Sequence, residues 1–351
     1  MTERSKGSRS LTLEQIGERA GVSRSTVSRV LNEHPDVRPE VRARVEAVIE
    51  ATGYQPNPAA RALVSRKSGL IGLVMLTDAD ELFGDPYYSA LVAGIGQGCA
   101  DHGLIFAIFP VQGPGDGRDG LAPVIAQGFV DGVIVTAGPQ RDELISAFRS
   151  RGTRMVVIGH PRDDAGLLRV DVENRAGTRT AIEHLQSHGY RRIGFVGATL
   201  QHRFGVERLE GYRDAITAAG ATVDEQLIRL DEPTAAGGRR AAISLLADGP
   251  DAIFVATDPM AVGVYRAAES RGLRIPADVA IVGFDGLSRG PLLDPPLTTI
   301  VQPVEKVGRT AVGLLASEID EPQVVMLPTA LRLGGSCGAH ETVRADETHQ
   351  P

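Results

Sequence analysis

From Leu70 onward, short apolar runs alternate with amphipathic stretches. The runs at 70–77, 104–109, 130–136, 155–159, 193–197, 252–256 and 279–284 are β-rich and too short to be helices. Helical spacing fills the intervals near 87–102, 140–151, 174–188, 204–219, 235–247, 259–272 and 304–319. Such a rhythm specifies right-handed βαβ units on parallel sheet. The strands outnumber one small doubly wound sheet, and 160–173 lacks a clear helix. That break predicts a crossover between two similar lobes, with 297–303 crossing back. Lobe 1 is expected over about 70–170 plus a returning segment, and lobe 2 over about 171–297 plus the C-terminal segment.

Residues 1–69 carry four helical signals and no strand. Thr12 with Gln15 three residues on opens a helix through Ala20. Gly21-Val22 turns the chain, and Ser23 caps a second helix to about Leu31. Pro39 opens a third, whose Val41, Val45, Val48 and Ile49 form an apolar stripe that Gly53 ends. Asn57-Pro58 starts a last short segment through about Val64. In the second helix Val27, Val30 and Leu31 share one face and are expected against Ile16, Ala20 and Val22. The other face carries Ser25, Ser28, Arg29 and Asn32, with Arg24 at its N-terminal end. Hydrogen-bonding groups and two guanidinium groups suit major-groove edges and phosphates, but an ordinary solvated face is also polar. Patterning alone leaves both readings open.

Charge changes that picture. The chain is −7 overall, yet residues 1–68 hold 12 Lys and Arg against 8 Asp and Glu, leaving a head of +4 on a body of −11. A basic head on an acidic body points to nucleic acid. Hydrophobic residues make up 42% of 351 and Trp is absent, which describes an aliphatic, globular chain. No apolar run reaches the roughly 18 residues of a membrane helix, and no secretory apolar core follows the first residues. The expectation is a cytoplasmic protein. Two cysteines exclude a disulfide framework and a four-cysteine zinc site; Cys99 reads as a buried small residue and Cys337 as a tail thiol.

The run Leu13-Glu-Gln-Ile-Gly-Glu-Arg-Ala-Gly-Val-Ser-Arg-Ser-Thr-Val-Ser-Arg-Val-Leu-Asn32, followed by Gly53-Tyr-Gln-Pro-Asn-Pro-Ala-Ala-Arg-Ala-Leu63, closely resembles the lactose repressor family of bacterial transcription regulators. Glu183-His-Leu185, His188-Gly-Tyr-Arg-Arg-Ile193 and Gly283-Phe-Asp285 extend the resemblance over nearly the whole chain. It implies a small all-α helix-turn-helix head (1–55), a hinge helix and linker (56–69), and an α/β two-lobed sensor resembling periplasmic binding proteins (70–337), ahead of a polar tail (338–351). Arg24 and Ser25 then match the base-choosing positions, and Ser23, Thr26 and Arg29 match phosphate and base contacts. Tyr54 and Asn57 match backbone-contacting residues, although Pro58 follows Asn57 where a contacting side chain is common. Ala60 lies in the same DNA-binding stretch, and Leu63 matches the hinge leucine that wedges into the minor groove.

In the body, the resemblance makes Arg208 an effector clamp and Asp285 an acceptor of ligand hydroxyls at a strand end. Tyr87 and Tyr88 match first-lobe aromatics near the cleft, and Thr257 stands where many members have Asn. His160 and Arg162, just beyond a strand, are further lining candidates. Gly286 replaces a common second Asp, and Glu232 falls near a position often filled by a stacking aromatic, which favours a sugar over a purine. The implied partners are a small-molecule effector and a near-palindromic double-stranded DNA operator held by a homodimer. Gly94-Ile-Gly-Gln-Gly98 sits inside a helix, so it is no dinucleotide fingerprint. The 113–117 loop lacks the Lys-Ser/Thr of a phosphate loop, and the histidines lack metal spacing. No catalytic constellation is visible, so neither enzyme, cofactor nor metal is expected. The rival is a two-lobed sugar-binding receptor without a transcriptional role, against which the helical head counts.

Overall fold

The computed structural model describes residues 11–31, 34–54, 68–76, 84–111, 130–138, 141–287, 292–317, 319 and 321–338. Asn32, Asn57, Ala60, Leu63 and the 113–117 loop lie outside the described residues. The chain divides into two compact units between Ser68 and Gly69.

In the first unit lie α1 (Leu13–Ala20), α2 (Arg24–Leu31) and α3 (Pro39–Thr52). Thr12 Oγ1 accepts from the Gln15 N–H and Gln15 Oε1 from the Thr12 N–H, at 3.3 and 2.9 Å, so two otherwise orphaned donors are satisfied reciprocally. Gly21, at φ 62°, ends α1 in the left-handed region and lets the chain turn at once into α2. Ile16, Ala20, Val27, Val30 and Val45 form the buried core, closed by Val22, Leu31, Val48, Ile49 and Tyr54. The expected apolar faces therefore meet as their spacing requires.

The second unit begins with β1 (Leu70–Leu76), α4 (Pro86–Asp101), β2 (Ile105–Val111), β3 (Gly132–Thr136), α5 (Asp142–Ser150), β4 (Met155–Ile158) and β5 (Leu168–Val172). It continues through α6 (Asn174–Ser187), β6 (Ile193–Ala198), α7 (Arg203–Ala218), β7 (Ile228–Asp231), α8 (Ala235–Leu245), β8 (Ala252–Val255), α9 (Asp258–Ser270), β9 (Ala280–Asp285) and β10 (Thr298–Val301). Last come α10 (Val304–Ala316), β11 (Gln323–Leu327) and β12 (Ala330–Arg332). Two six-stranded sheets result, in the orders β11-β5-β4-β3-β1-β2 and β12-β10-β9-β8-β6-β7. All pairings are parallel except that of β10 with β12. The strand runs are buried on both faces, as helix-covered parallel sheet demands.

The chain passes between the lobes three times, after Val172, between Val301 and Val304, and between Leu327 and Ala330. The segment expected to cross back at 297–303 is instead mostly β10, paired with β9 through Thr298–Val282 and held in the second lobe. Only its last residues make the crossing. A four-residue apolar run fits the middle of either sheet, so its partner strand settles its lobe. Strands β5, β7 and β11 escaped the sequence pattern because each mixes polar and apolar positions: Leu-Arg-Val-Asp-Val, Ile-Arg-Leu-Asp and Gln-Val-Val-Met-Leu. Cys337 is fully buried rather than a tail thiol. It donates to Thr298 Oγ1 at 3.1 Å and lies 3.3 Å from His184 Nε2, drawn in as the antiparallel β12 brings the chain back over the second sheet.

The glycines at 94–98 serve helix packing. A Cβ on Gly94 would lie 2.1 Å from the Glu305 carbonyl oxygen and one on Gly98 2.9 Å from Val312 Cβ, so α4 and α10 approach nearly backbone to backbone. Gly96 faces open space. Gly94→Ala should therefore destabilise the body by about 1–3 kcal/mol through overpacking. Gly96→Ala should stabilise it by about 0.5–1 kcal/mol through helix propensity. Urea unfolding of both variants checks the opposite signs.

Candidate functional site

In the first unit Ser23, Arg24, Ser25 and Arg29 are exposed at and along α2, while Thr26 is half-buried. Ser23 caps the helix: its Oγ accepts from the Thr26 N–H at 3.2 Å and lies 2.8 and 2.9 Å from the Ser25 and Thr26 hydroxyls. Arg24 reaches back to Glu14 on α1, 3.1 Å away, so one proposed base-reading guanidinium is held by a carboxylate. Tyr54 packs its ring against the head's core.

In the body, Arg208 is buried at the centre of a cluster of polar partners. The residue is 3% exposed, and its guanidinium carbon lies 3.6 Å from the Phe284 ring centroid and 4.9 Å from that of Phe204. Nε donates to Asn174 Oδ1 at 2.9 Å, and Nη1 donates to Asp285 Oδ1 at 3.1 Å and to the Ala256 carbonyl. Burial works against its charge and Asp285 restores it. Asp285 ends β9 with φ 120°, the one positive φ outside glycine among the described residues. Gln302 donates to its Oδ1 at 2.6 Å and the Asp258 N–H to its Oδ2 at 3.3 Å. The next residue explains the missing second acid: Gly286 has φ 73° and a Cβ there would lie 2.7 Å from Val301 Cα.

Two more buried acids flank this pair. Asp258 accepts from the Leu287 N–H and the Thr299 hydroxyl, both at 2.8 Å; burial, then Asp285 beside it, pushes its carboxyl up to about 7. Asp171 is pushed up to about 6, by burial first and Glu207 second. Burial foremost, then Tyr88, Asp171 and Asp285, keep the Tyr87 phenol protonated far above its usual range. The Tyr88 hydroxyl accepts from Arg141 at 3.3 Å, and the two tyrosine rings meet edge to face at 5.5 Å.

Other expected lining residues have further duties. Thr257 caps α9, accepting from the Met260 N–H at 3.3 Å, which makes its hydroxyl a structural acceptor first. His160 joins Glu207 across the lobes at 2.6 Å. Arg162 pairs with Asp142 at 3.7 Å, with its side chain 85% exposed. Sequence reasoning missed Asn174, Gln302, Asp171 and Glu207. Asn174 and Gln302 sit at two of the crossings between lobes, and no local spacing marks a crossing.

Comparison with known proteins follows this division. Residues 12–57 match the model of bacterial regulatory proteins of the lacI family, and residues 182–337 match that of a periplasmic binding protein-like domain. The chain is 35% identical over 328 residues to the HTH-type transcriptional regulator CelR of Thermobifida fusca, covering 91% of this chain and 96% of that one.

The chain belongs to the lacI family.

It is therefore a DNA-binding transcription regulator with a helix-turn-helix head and a two-lobed α/β sensor. The ribose operon repressor of Escherichia coli (strain K12) is 30% identical over 89% of this chain and 94% of its own. Among solved structures, a transcriptional regulator CelR–cellobiose complex superposes with a TM-score of 0.73 at 33% identity, covering 93% of this chain and 99% of that one. A lac repressor dimer bound to operator and the anti-inducer ONPF superposes at 0.78 and 27% identity, covering 94% and 100%. Among the described residues no helix is long and apolar enough to cross a membrane.

In this lacI-family sensor, the burial of Arg208 alters what its removal would do. Arg208→Ala leaves the buried Asp285 carboxylate without its counter-charge and Asn174 Oδ1 without its donor, and should cost about 3–5 kcal/mol of body stability. Neutralising both charges, as Arg208→Met with Asp285→Asn, should recover part of that loss, since no unpaired charge remains at the pair while Asn still accepts from Gln302 and tolerates a positive φ. Urea unfolding of the single and double variants tests the pairing.

Proposed function

We propose that this regulator is a repressor whose operator affinity is set by a sugar held between the two lobes against Arg208 and Asp285. The observation that carries the reading is the Arg208–Asp285 pair itself: a forked donor from α7 beside a carboxylate at the C-terminal end of β9. Guanidinium and carboxylate side by side suit vicinal hydroxyls, which both donate and accept. The relative solved as a cellobiose complex makes a short glucoside the first ligand to test.

The route from ligand to DNA follows from the pair's neighbours. Asn174 and Gln302 hydrogen-bond to Arg208 and Asp285 and lie at two crossings between the lobes. A ligand that takes over bonds of Arg208 and Asp285 alters what holds those crossings, and shifts the lobe equilibrium by its differential affinity. The regulator acts as a homodimer on a near-palindromic operator, as the lac repressor structure is a dimer on its operator. Arg24 and Ser25 choose bases, and Ser23, Thr26, Arg29 and Tyr54 hold the duplex. The rival transport receptor has no use for a matched regulatory head.

Two experiments test this reading. Cellobiose, glucose, ribose and hypoxanthine are each added to the full chain in thermal-shift and operator fluorescence-anisotropy assays. A sugar at 100 times its dissociation constant should stabilise by about 2.7 kcal/mol and change operator affinity; a response to hypoxanthine alone overturns the sugar assignment. In the second, Arg29→Ala should weaken operator binding while the head stays folded, because Arg29 is exposed and outside the head core. Exchanging Arg24 and Ser25 should change the half-site selected from a random pool, each lost base contact costing roughly 1–3 kcal/mol. Selection of the same site by wild type and exchange variant would show that other residues read the bases.

A further inference from the structure

The junction between the lobes gathers an imidazole and two carboxylates that are far apart in the chain. His160 follows β4 and Asp171 lies in β5, both of the first lobe, while Glu207 lies on α7 of the second. One ligand atom from each falls within 4.8 Å of the others. His160 Nδ1 and Glu207 Oε1 are 2.6 Å apart. We propose that His160, Asp171 and Glu207 form a divalent transition-metal site, of zinc type, that ties the two lobes together beside the effector clamp.

Three features argue for a built site. The first is the other ring nitrogen: His160 Nε2 lies 3.4 Å from Asp164 Oδ2, the outer carboxylate that commonly orients a metal-bound histidine. The second is Asn174, whose Nδ2 donates to Glu207 Oε2 at 3.0 Å and to Asp171 Oδ1 at 3.4 Å. One amide thereby aims both carboxylates, and the Val172 N–H fixes Asp171 further at 2.8 Å. The third is charge. Arg169 pairs with Asp171 at 3.0 Å and stands 3.8 Å from Asp164, and Arg203 is 4.0 Å from Glu207 at the rim. A divalent ion and Arg169 together balance the three carboxylates.

Ligand type and size select the ion. An imidazole with two carboxylates favours zinc and its neighbours over magnesium or calcium, which take all-oxygen shells. Three protein ligands at about 2.0–2.2 Å leave a fourth position open to water or a ligand hydroxyl. Tetrahedral ligands at that radius stand about 3.4 Å apart, so His160 and Glu207 need separate by less than about 1 Å. Because Asn174 also accepts from Arg208, the ion sits one hydrogen-bonded residue from the effector clamp.

The test uses the full chain, stripped with a chelator and titrated with zinc chloride at pH 7.5 without sugar or DNA, so its outcome is independent of the effector's identity. Calorimetry should give one high-affinity zinc per chain with a raised Tm, and cobalt should give tetrahedral visible bands. Glu207→Gln keeps size and His160→Asn keeps a polar group able to hydrogen-bond; each should weaken zinc binding at least tenfold, abolish the bands and still unfold cooperatively. Asp171→Asn provides the same reading should either fail to fold. Absence of zinc binding by wild type overturns the proposal, leaving the His160–Glu207 contact alone as the lobe bridge. So does undiminished binding in the variants, which would place the metal elsewhere in the chain.

Discussion

A guanidinium buried between two phenyl rings must keep every one of its partners, and that requirement on Arg208 organises the sensor. Taking an ion out of water costs several kcal/mol even after relaxation, and only close opposite charge with further hydrogen bonds offsets it. Asp285 supplies the charge, and Asn174 and the Ala256 carbonyl supply further acceptors. Asp285 in turn holds a backbone conformation that non-glycine residues avoid, at a cost of about 1–3 kcal/mol, because Gln302 and the Asp258 N–H grip its carboxylate. Helix α7, strands β8 and β9 and two interlobe crossings are thereby tied to one pair of charges.

The placement of that pair explains how so small a site can be felt at a distance. Packed sheet and helix layers move as units, so motion between the lobes concentrates in the three crossings. Two crossings carry an amide side chain bonded to the pair, Asn174 and Gln302. The lobes also meet directly through His160 and Glu207. Polar contacts, which exchange partners readily, thus join lobes whose interiors are apolar and close-packed.

The head follows a different economy. Its buried core is five aliphatic side chains, closed by half-buried neighbours including Tyr54, and its turn geometry depends on Gly17 and Gly21. A Cβ on Gly17 would lie 2.7 Å from the Val22 carbonyl oxygen, so α1 and the start of α2 meet too closely for any side chain there. The exposed face of α2 keeps Arg29 outward, while the Arg24–Glu14 contact holds a guanidinium in place at an exposed site where an ion pair adds little stability.

What the sequence determined by itself was whatever repeats with a short period or rests on neighbours in the chain. The alternation of apolar and amphipathic runs was enough for the α/β layers, and the 3.6-residue spacing of Val27, Val30, Val45 and Ile49 for the head. Thr12, Gln15, Gly21 and Gly53 marked helix ends because capping acts over three or four residues. Arg208 and Asp285 came from the family resemblance, and their mutual pairing, 77 residues apart, came only from the fold. The tertiary structure likewise decided which lobe owns β10, that Cys337 is buried, that Thr257 is a cap and that Arg162 pairs with Asp142. It alone brought His160, Asp171, Asn174 and Glu207 together, because strand ends and lobe crossings juxtapose residues by topology, and topology leaves no period in the chain.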